Sequence, residues 1–442
     1  MPKSLRFRIE YLKAFTRRYT VALVIGVFVA TVAIVFTPQV IDFLSSPQFK
    51  TERKGIVSLT TERKLPDEIL QKVSYGLTQK DEQDNYIASP IVESIQQSSD
   101  QKSSLIKLKK DIYWHNGKNI SAEDVKTELP ALNIKTTDKL SLYIQTSNVI
   151  ASLPSFLSKP LLKNNTVGNG EYKISELRYQ QGYVKKITLT HVKKQKPNLA
   201  YIFYPTIKDA IIALKLGEIN EVSTLPSRDE IPPWPNFQVN NTLDTSQYVA
   251  LYINNEKYDK KMRQALAYAT PKTESKKDRA LTPIDPNSWA FSPQVKEYNL
   301  DNKRAGELFK GNETKKVQIL VGDRQLLSVA EFIKRNWHDA LGLEVEIISQ
   351  TSQLSGNYDT FLTKTTIPAD PDQYAFWHST QTSTNITKLN NPLIDRLLEE
   401  GRQTTNKQER ERIYAEFQKV LLEETPAIFL YYPTTYSVSR IK

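Results

Sequence analysis

The chain has 442 residues, of which 60 are Lys or Arg and 49 are Asp or Glu, so its formal net charge at pH 7 is +11. Basic and acidic residues are interleaved, and no element gathers basic side chains with aromatic ones, which argues against a nucleic-acid partner. The chain has no cysteine, and this excludes disulfides, zinc–thiolate and iron–sulfur sites, cysteine nucleophiles and lipid attachment through Cys.

The N-terminal segment predicts a membrane anchor. Residues 1–18 carry six basic side chains and one acid, Glu10, and Tyr19–Phe36 read YTVALVIGVFVATVAIVF. About 20 apolar residues are enough for a helix to cross the hydrocarbon core of a bilayer, and the basic flank places the N-terminus in the cytoplasm. We therefore expect residues 1–50 to form a basic tail and one transmembrane helix, which contacts the membrane through residues 19–41.

The bulk of the chain would then be extracytoplasmic, held at the cell membrane by a single pass. A cleaved signal peptide is the alternative, and ATVA (Ala30–Ala33) offers a cleavage site of small residues. Ile34-Val35-Phe36 continue the apolar run beyond that point, whereas the apolar region of a signal peptide is usually about 7–15 residues long. The sequence therefore favours an uncleaved anchor, and either interpretation exports the rest of the chain.

Capping residues predict four helices in the exported part. In each, a side-chain oxygen would accept a hydrogen bond from a free N–H of the first turn, and an acid stands three residues further on. Apolar residues then recur on one face of the helix. The four predicted N-caps are Ser121, Thr206, Ser328 and Asn406.

Runs of β-branched and aromatic residues predict strands around these helices. VQILVG (317–322) precedes the helix at Ser328 and LEVEII (343–348) follows it, so the three elements are expected to form a βαβ unit. The other predicted strands are KITLTHV, YVALYIN and AIFLYYP, which begin at Lys186, Tyr248 and Ala427. The exported part is therefore predicted to have an α/β fold.

The stretch IYWHNGKNISAEDV (112–125) has a structural explanation at each residue. Ile112–Trp114 are predicted to end a strand, and Asn116-Gly117 to form a tight turn, because both residues tolerate positive φ. The acids after Ser121 suit the N-terminal end of a helix dipole. His115 has no second ligand at metal spacing, so we expect no metal site here, and we expect no cofactor in the chain.

The same stretch resembles a signature of the family 5 extracytoplasmic solute-binding proteins, the peptide- and nickel-binding group that serves ABC importers. Other segments are similar to that family in the same order, and together they cover nearly everything from about residue 60 to the end. Those segments are VSYGLTQKDEQDNYIASPIVESI (73–95), VGNGEYKIS (167–175), DAIIALKLGEIN (209–220), YINNEKYDKKMRQALAYAT (252–270), NLDNKRAGELF (299–309), ADPDQYAFWHS (369–379) and NPLIDRLLEEGRQTTNKQERERIYAEFQKVLLEETPAIFLYY (391–432).

The resemblance implies a two-lobed clamp of the type II periplasmic-binding-protein class. It implies that residues 51–247 plus 428–442 form the N-terminal lobe and residues 248–427 the C-terminal lobe, with chain crossings near Tyr248 and Ala427. A ligand would lie between the lobes, which close about these crossings. The implied partners are a short peptide or similar small solute and the permease subunits of an ABC importer.

Five residues are candidates for ligand contact: Tyr75, Asp370, Asp372, Tyr374 and Trp377. The two acids flank Pro371 and could form an anionic wall for a ligand's ammonium, with the aromatic rings as apolar or cation–π faces. The alternative is that both acids are turn caps before a following helix.

The sequence departs from the family pattern at two acids. Tyr75 stands where the family usually has an acid before Gly-Leu. Thr366 or Ile367 stands where its peptide binders often have the aspartate that holds the ligand's amino terminus. Both departures reduce the expectation that this chain recognises an α-amine, and they leave open a ligand other than an ordinary peptide.

Two other functions are compatible with the same residues. The clamp could be an anchored sensor or surface-assembly protein with no transport role. A hydrolase of glycosides would need two carboxylates about 5 Å apart, and acids two residues apart in a Pro-locked loop rarely face each other in that way. No Gly-x-Ser-x-Gly or His-Glu-x-x-His motif occurs, so we expect a binding protein rather than an enzyme.

Overall fold

The computed structural model describes residues 50–442 except 131, 229–230, 232, 274, 276, 350–357 and 442, together with residues 16, 18–21, 24–26 and 31. Within this part of the chain, no helix is long and apolar enough to cross a membrane. Most of the predicted transmembrane helix, residues 19–41, lies outside the described residues.

Helices and strands alternate along the described chain. The strands are β1 (Thr51–Val57), β2 (Thr78–Lys80), β3 (Tyr86–Ala88), β4 (Val92–Gln97), β5 (Ser103–Leu108), β6 (Ile134–Thr136), β7 (Ser141–Gln145), β8 (Tyr172–Gln180), β9 (Tyr183–His191), β10 (Asn198–Tyr204), β11 (Glu221–Leu225), β12 (Phe237–Leu243), β13 (Gln247–Ile253), β14 (Lys316–Val321), β15 (Glu344–Ser349), β16 (Thr360–Thr366), β17 (Ala427–Tyr431) and β18 (Thr434–Arg440). The helices are α1 (Asp67–Val73), α2 (Ala122–Glu128), α3 (Leu153–Leu157), α4 (Ile207–Leu216), α5 (Lys260–Ala269), α6 (Asn302–Phe309), α7 (Leu327–Leu341), α8 (Tyr374–Trp377), α9 (Pro392–Gln403) and α10 (Lys407–Glu424). Short 3-10 turns precede α1 and α7, at Glu62–Lys64 and Arg324–Leu326.

The first sheet has seven strands in the order β12-β18-β11-β1-β10-β9-β8. β1 is parallel to both β10 and β11, and the other pairs are antiparallel. The inner strand β10 reads NLAYIFY and is buried along most of its length, as expected where helices cover both faces of a sheet. α1 packs on one face through Ile69 and Val73, and α4 packs on the other through Ala210 and Leu214.

The second sheet has five strands in the order β15-β14-β16-β13-β17. Alternate residues of β13, QYVALYI, enter two different cores, because successive side chains of a strand point to opposite faces. Val249 and Leu251 pack with residues of α5 and α7, whereas Ala250 and Tyr252 pack with residues of α9 and α10. β14 and β15 are parallel with α7 between them, which confirms the predicted βαβ unit.

The chain crosses between these two sheets twice, and the two crossings lie side by side. Residues 244–246 lead from β12 to β13, and Tyr432-Pro433 lead from β17 to β18. The N–H of Asp244 donates to the carbonyl of Pro433 at 2.8 Å, so the two connections are hydrogen-bonded to each other. The sequence predicts the crossings near Tyr248 and Ala427. These residues lie inside β13 and at the start of β17, which pair with each other in the second sheet, so the first crossing precedes Tyr248 and the second follows β17.

Two smaller sheets complete the first half of the chain. One has four strands in the order β4-β5-β7-β6, and the other is the hairpin β2–β3. Ile106, Trp114 and Val125 belong to the core under the four-stranded sheet. This core joins β5 and α2. Trp114 is the first residue of the WHNG stretch (114–117), so this stretch lies beside the hydrophobic interior.

Three of the four predicted N-caps are confirmed and one is wrong. The side chains of Ser121, Thr206 and Asn406 each accept a hydrogen bond from the N–H three residues further on. Ser328 has no such role, because α7 begins one residue before it and follows directly on a 3-10 turn that Asp323 caps.

The strand predicted to end at Ile112–Trp114 is absent from the described residues, where Tyr113 makes an isolated bridge to Asn119. The predicted turn is present. Gly117 has a φ of +81°, which suits glycine, and its N–H donates to the carbonyl of Trp114 at 2.8 Å.

Candidate ligand-binding cleft

A cavity of about 460 Å³ lies where the two halves of the chain meet. Residues of the first half form most of its lining, and Ala369, which follows β16 of the second sheet, closes one side. The volume is in the range of small-molecule sites, about 300–1,000 Å³. No acidic side chain is among the described residues that line the cavity, and Lys80 is the lining residue that carries a charge.

The segment Ser74–Gly76, directly after α1, forms part of the lining. A Cβ on Gly76 would lie 2.5 Å from the carbonyl oxygen of Leu157 and 2.7 Å from that of Lys159. Glycine is therefore required for the close approach of this segment to the end of α3. The N–H of Leu77 donates to the same Leu157 oxygen at 2.7 Å and holds the two segments together.

Tyr75 is the one predicted contact residue that lines this cavity. Its N–H donates to the side-chain oxygen of Asn169 at 2.8 Å, and its carbonyl accepts from the N–H of Leu161 at 3.1 Å. Burial, and then the negative charge of Glu171, raise the pKa of the Tyr75 hydroxyl. The phenol is therefore neutral at physiological pH and is available as a donor and acceptor.

The WHNG stretch contacts the turn at residues 168–170, which in turn binds Tyr75. The N–H of His115 donates to the carbonyl of Gly168 at 2.9 Å, and its Nε2 donates to the carbonyl of Gly170 at 3.0 Å. A Cβ on Gly170 would lie 2.7 Å from the carbonyl oxygen of Lys72, in the last turn of α1. Burial lowers the pKa of His115, which favours the neutral ring. His115 thus fixes the turn whose Asn169 binds Tyr75, a positioning role rather than a ligand-binding one.

The hairpin β2–β3 forms another wall of the cavity. Lys80 and Tyr86 stand opposite each other in its register, and Lys80 Nζ lies 5.5 Å from the centre of the Tyr86 ring. The hydroxyl oxygen of Tyr86 is buried and has no hydrogen-bond partner in the described part of the molecule. Burial disfavours the charge on Lys80, but its hydrogen bond to Asp84 and the nearby negative charges outweigh that effect and raise the pKa of Lys80.

Asp370 is engaged by an arginine of its own half. Its side chain accepts hydrogen bonds from Arg410 Nη2 at 2.6 Å and Nη1 at 3.1 Å, and Asp370 is only 8% exposed. Its Oδ1 also accepts from the N–H of Asp372 at 3.0 Å. These contacts are those of the turn-capping alternative, and they neutralise the carboxylate inside the protein.

Asp372 is engaged in the same way. One oxygen accepts from Arg402 Nε at 2.9 Å and from the Ser152 hydroxyl at 3.4 Å, and the other accepts from the N–H of Tyr374 at 3.1 Å. The contact to Ser152 joins the two halves of the chain. A second such contact lies beside it, since the N–H of Ala151 donates to the carbonyl of Arg402 at 2.8 Å.

The two predicted aromatic contacts lie in the second half of the chain and pack against its own residues. Tyr374 is held between the guanidinium of Arg402, 4.0 Å from its ring centre, and the ring of His378, stacked at 4.1 Å. Trp377 is 1% exposed in the core beneath α9 and α10, and its Nε1 donates to the side-chain oxygen of Gln373 at 3.3 Å. Their predicted role in ligand contact, like that of Tyr75 and the two acids, stays a prediction.

Sequence reasoning missed Lys80 and Tyr86. The signal that could have found them is the polar run DEQDN between the two short strands. Asp81 Oδ1 accepts from the N–H of Gln83 at 2.9 Å and from that of Asn85 at 2.8 Å, an Asx-type turn. A turn of that kind predicts a hairpin, and a hairpin places Lys80 opposite Tyr86.

Comparisons with known proteins identify the family and the fold of this chain. The family model for bacterial extracellular solute-binding proteins, family 5 (middle), matches residues 131–388, which is more than half of the chain. The oligopeptide-binding protein AppA of Bacillus subtilis is 22% identical over 440 aligned residues, which cover 81% of this chain and 80% of AppA.

Two solved structures share the fold. NikZ of Campylobacter jejuni, in complex with Ni(L-His), superposes with a TM-score of 0.72 at 22% identity and covers 88% of this chain and 94% of its own. The ABC transporter-associated periplasmic binding protein DppA of Helicobacter pylori, in complex with the peptide STSA, superposes with a TM-score of 0.71 at 17% identity and covers 89% and 94%. The mixed α/β fold is thus that of the type II periplasmic binding proteins.

Proposed function

Because this chain belongs to the bacterial extracellular solute-binding proteins of family 5, we propose that it captures a short peptide outside the cell and delivers it to an ABC importer. The observation that carries the proposal is the cavity of about 460 Å³ that residues of the first half line together with Ala369 of the second half. The similarity to AppA, an oligopeptide-binding protein, and to the peptide-bound, ABC transporter-associated DppA supports a peptide as the ligand.

Capture works by closure of two lobes. The seven-stranded sheet belongs to the first lobe and the five-stranded sheet to the second, and the crossings at residues 244–246 and 432–433 act as the hinge. Domain closure about a few connecting residues is a common mode of ligand capture. The contacts of Arg402 with Ala151 and of Asp372 with Ser152 join the lobes near the cavity. A ligand drives closure only by binding the closed form more tightly than the open form.

Tyr75 contacts the ligand from the first lobe. Asp370 and Asp372 shape the loop that presents Ala369 to the cavity, because their carboxylates already bind Arg410 and Arg402. This assignment keeps Tyr75 as a binding residue and gives the two acids a positioning role.

The protein is tethered to the membrane through residues 19–41. The sequence supports this part of the proposal, since Tyr19–Phe36 contain no charged residue and follow a basic segment. A tether keeps a receptor at high effective concentration near its permease, whereas a released protein would be diluted.

The test is to identify what the protein carries. The full chain is purified in detergent, denatured, and the released small molecules are analysed by mass spectrometry; a library of tetrapeptides of mixed sequence is then added to the emptied protein. We expect released peptides and a rise in melting temperature with the library. An empty protein that shows no rise with any peptide would contradict the proposal.

A further inference from the structure

We propose that the cavity recognises a ligand carboxylate through Lys80 and Tyr86, and that it offers no counter-charge to a ligand ammonium. The inference rests on the proposed function and specifies it: the bound peptides would have a free C-terminus, whereas their N-terminus could be blocked. The charged groups around the cavity differ in how firmly their partners in the protein hold them.

The two acids that follow the lining residue Ala369 are closed to a ligand. Asp370 is buried and bound by both terminal nitrogens of Arg410, and Asp372 shares its oxygens among Arg402, Ser152 and the N–H of Tyr374. A ligand ammonium would have to displace a guanidinium from one of them. Breaking a buried ion pair leaves an uncompensated charge, which is strongly unfavourable.

On the hairpin, the ion pair of Lys80 is with Asp84 of the same hairpin, whose side chain is 45% exposed. Lys80 and Tyr86 both line the cavity, and the buried hydroxyl of Tyr86 has no partner in the described residues. Buried hydroxyl groups nearly always have a hydrogen-bond partner, so a ligand acceptor that reached this hydroxyl on closure would satisfy it. Lys80 and Tyr86 stand opposite each other on the two strands of the hairpin, so their ammonium and hydroxyl are suited to two oxygens of one carboxylate, which accepts charge-assisted hydrogen bonds.

Asp84 is the competitor for Lys80. Its carboxylate lies 2.6 Å from Lys80 Nζ, and its side chain is 45% exposed. A pair of this kind is screened by water and contributes little, and an ammonium has three N–H donors. Lys80 can therefore bind a ligand carboxylate in addition to Asp84 or in its place. The repulsion between Asp84 and the ligand predicts that removal of its charge strengthens binding.

The experiment compares end groups on one peptide library. A library of tetrapeptides of mixed sequence is made with both ends free, N-acetylated, C-amidated and blocked at both ends, and binding to the full chain in detergent is measured by titration calorimetry. We expect N-acetylated peptides to bind within about twofold of free ones. We expect C-amidated peptides to bind about tenfold or more weakly, the loss typical of one charge-assisted hydrogen bond.

Four variants assign the effect to the hairpin. Lys80→Gln should reduce the preference for free over amidated peptides to near unity, and Lys80→Arg should retain it. Tyr86→Phe keeps the ring and removes the hydroxyl, so it should reduce the preference in part. Asp84→Asn should increase the affinity for free-carboxylate peptides alone, and it suits the backbone because Asp84 has a φ of +62°, which Asn tolerates.

Exposed Lys118, outside the cavity lining, provides the control, and Lys118→Gln should behave as the unmodified protein. If N-acetylation abolishes binding while amidation does not, or if Lys80→Gln leaves the preference unchanged, the inference is wrong and peptide capture stands. If no version of the library binds, the proposed function and the inference both fail.

Discussion

The loop from Ala369 to Trp377 and the hairpin β2–β3 meet at one cavity, but they use their polar side chains in opposite ways. The loop carries two acids and three aromatic rings, and its acids bind arginines of α9 and α10. The hairpin carries three acids and one aromatic ring, and its Lys80 and Tyr86 line the cavity, with no partner for the Tyr86 hydroxyl among the described residues. A charged residue in a sequence is therefore available to a ligand only if no partner from another part of the fold reaches it.

The largest expected effect is on stability at the loop. Arg410→Ala removes the partner of Asp370 and the bond from Arg410 Nε to the carbonyl of Gly401, and it leaves a buried carboxylate unpaired. The free energy of unfolding should fall by about 3–5 kcal/mol, measured by urea denaturation.

Arg412→Ala on the same helix is the control, because Arg412 is 81% exposed and a surface change of this kind usually costs less than about 0.5 kcal/mol. If Arg410→Ala kept full stability and lost only peptide binding, Asp370 and Arg410 would belong to the binding site and the contrast between loop and hairpin would be wrong.

The next largest effect on stability is expected at Gly76, which lines the cavity. Gly76→Ala places a Cβ against the carbonyl oxygens of Leu157 and Lys159, so the segment must shift, at a cost of about 1–3 kcal/mol in stability. Peptide affinity should fall as well because Tyr75 moves with it.

Gly306→Ala in α6 is the matched substitution, since its Cβ would meet nothing within 4 Å and alanine stabilises a helix by up to about 1 kcal/mol. If Gly76→Ala and Gly306→Ala lowered the melting temperature equally, the close approach of Gly76 to the end of α3 would not be the reason that glycine is required there.

The elements of the fold were largely predictable because their signals are local. The caps at Ser121, Thr206 and Asn406 and the apolar runs of β13, β14 and β15 depend on residues close in sequence. The availability of Asp370 was not predictable, since it depends on Arg410, 40 positions away. Ser328 failed as a cap for a local reason, because Asp323 starts a 3-10 turn just before it.

A smaller effect is expected at His115. His115→Asn removes the bond to the carbonyl of Gly170 and should cost about 1 kcal/mol at neutral pH. Burial lowers the pKa of His115 in the folded protein, so the unfolded chain, with a pKa of about 6.5, binds a proton that the folded chain excludes. The stability from neutral His115 is therefore complete above about pH 6.5 and is lost as the pH falls towards the folded pKa.

The variant should consequently lose less stability than the unmodified protein between about pH 7 and about pH 5, in parallel denaturation series. An identical slope in both proteins would contradict a buried, neutral His115. If His115→Asn also lowers peptide affinity at pH 7, the ring of His115 positions Tyr75 through the turn at 168–170.

The smallest effect separates the two interpretations of the loop. Asp372→Asn keeps the oxygen that accepts from the N–H of Tyr374 and weakens the pair with Arg402, whose side chain is 36% exposed. Stability should change by about 1 kcal/mol or less, and the affinity for free tetrapeptides by no more than about twofold. A loss of about tenfold or more, absent with N-acetylated peptides, would mean that Asp372 holds a ligand ammonium after all.

The central claim is that two lobes close on a peptide about the paired crossings at residues 244–246 and 432–433. Because the chain has no cysteine, spin labels can be placed uniquely with Lys118→Cys in the first lobe and Lys310→Cys in the second, both exposed positions. Double electron–electron resonance should then show a distance distribution that becomes shorter and narrower when the tetrapeptide library is added. An unchanged distribution with peptide bound at saturation would contradict closure.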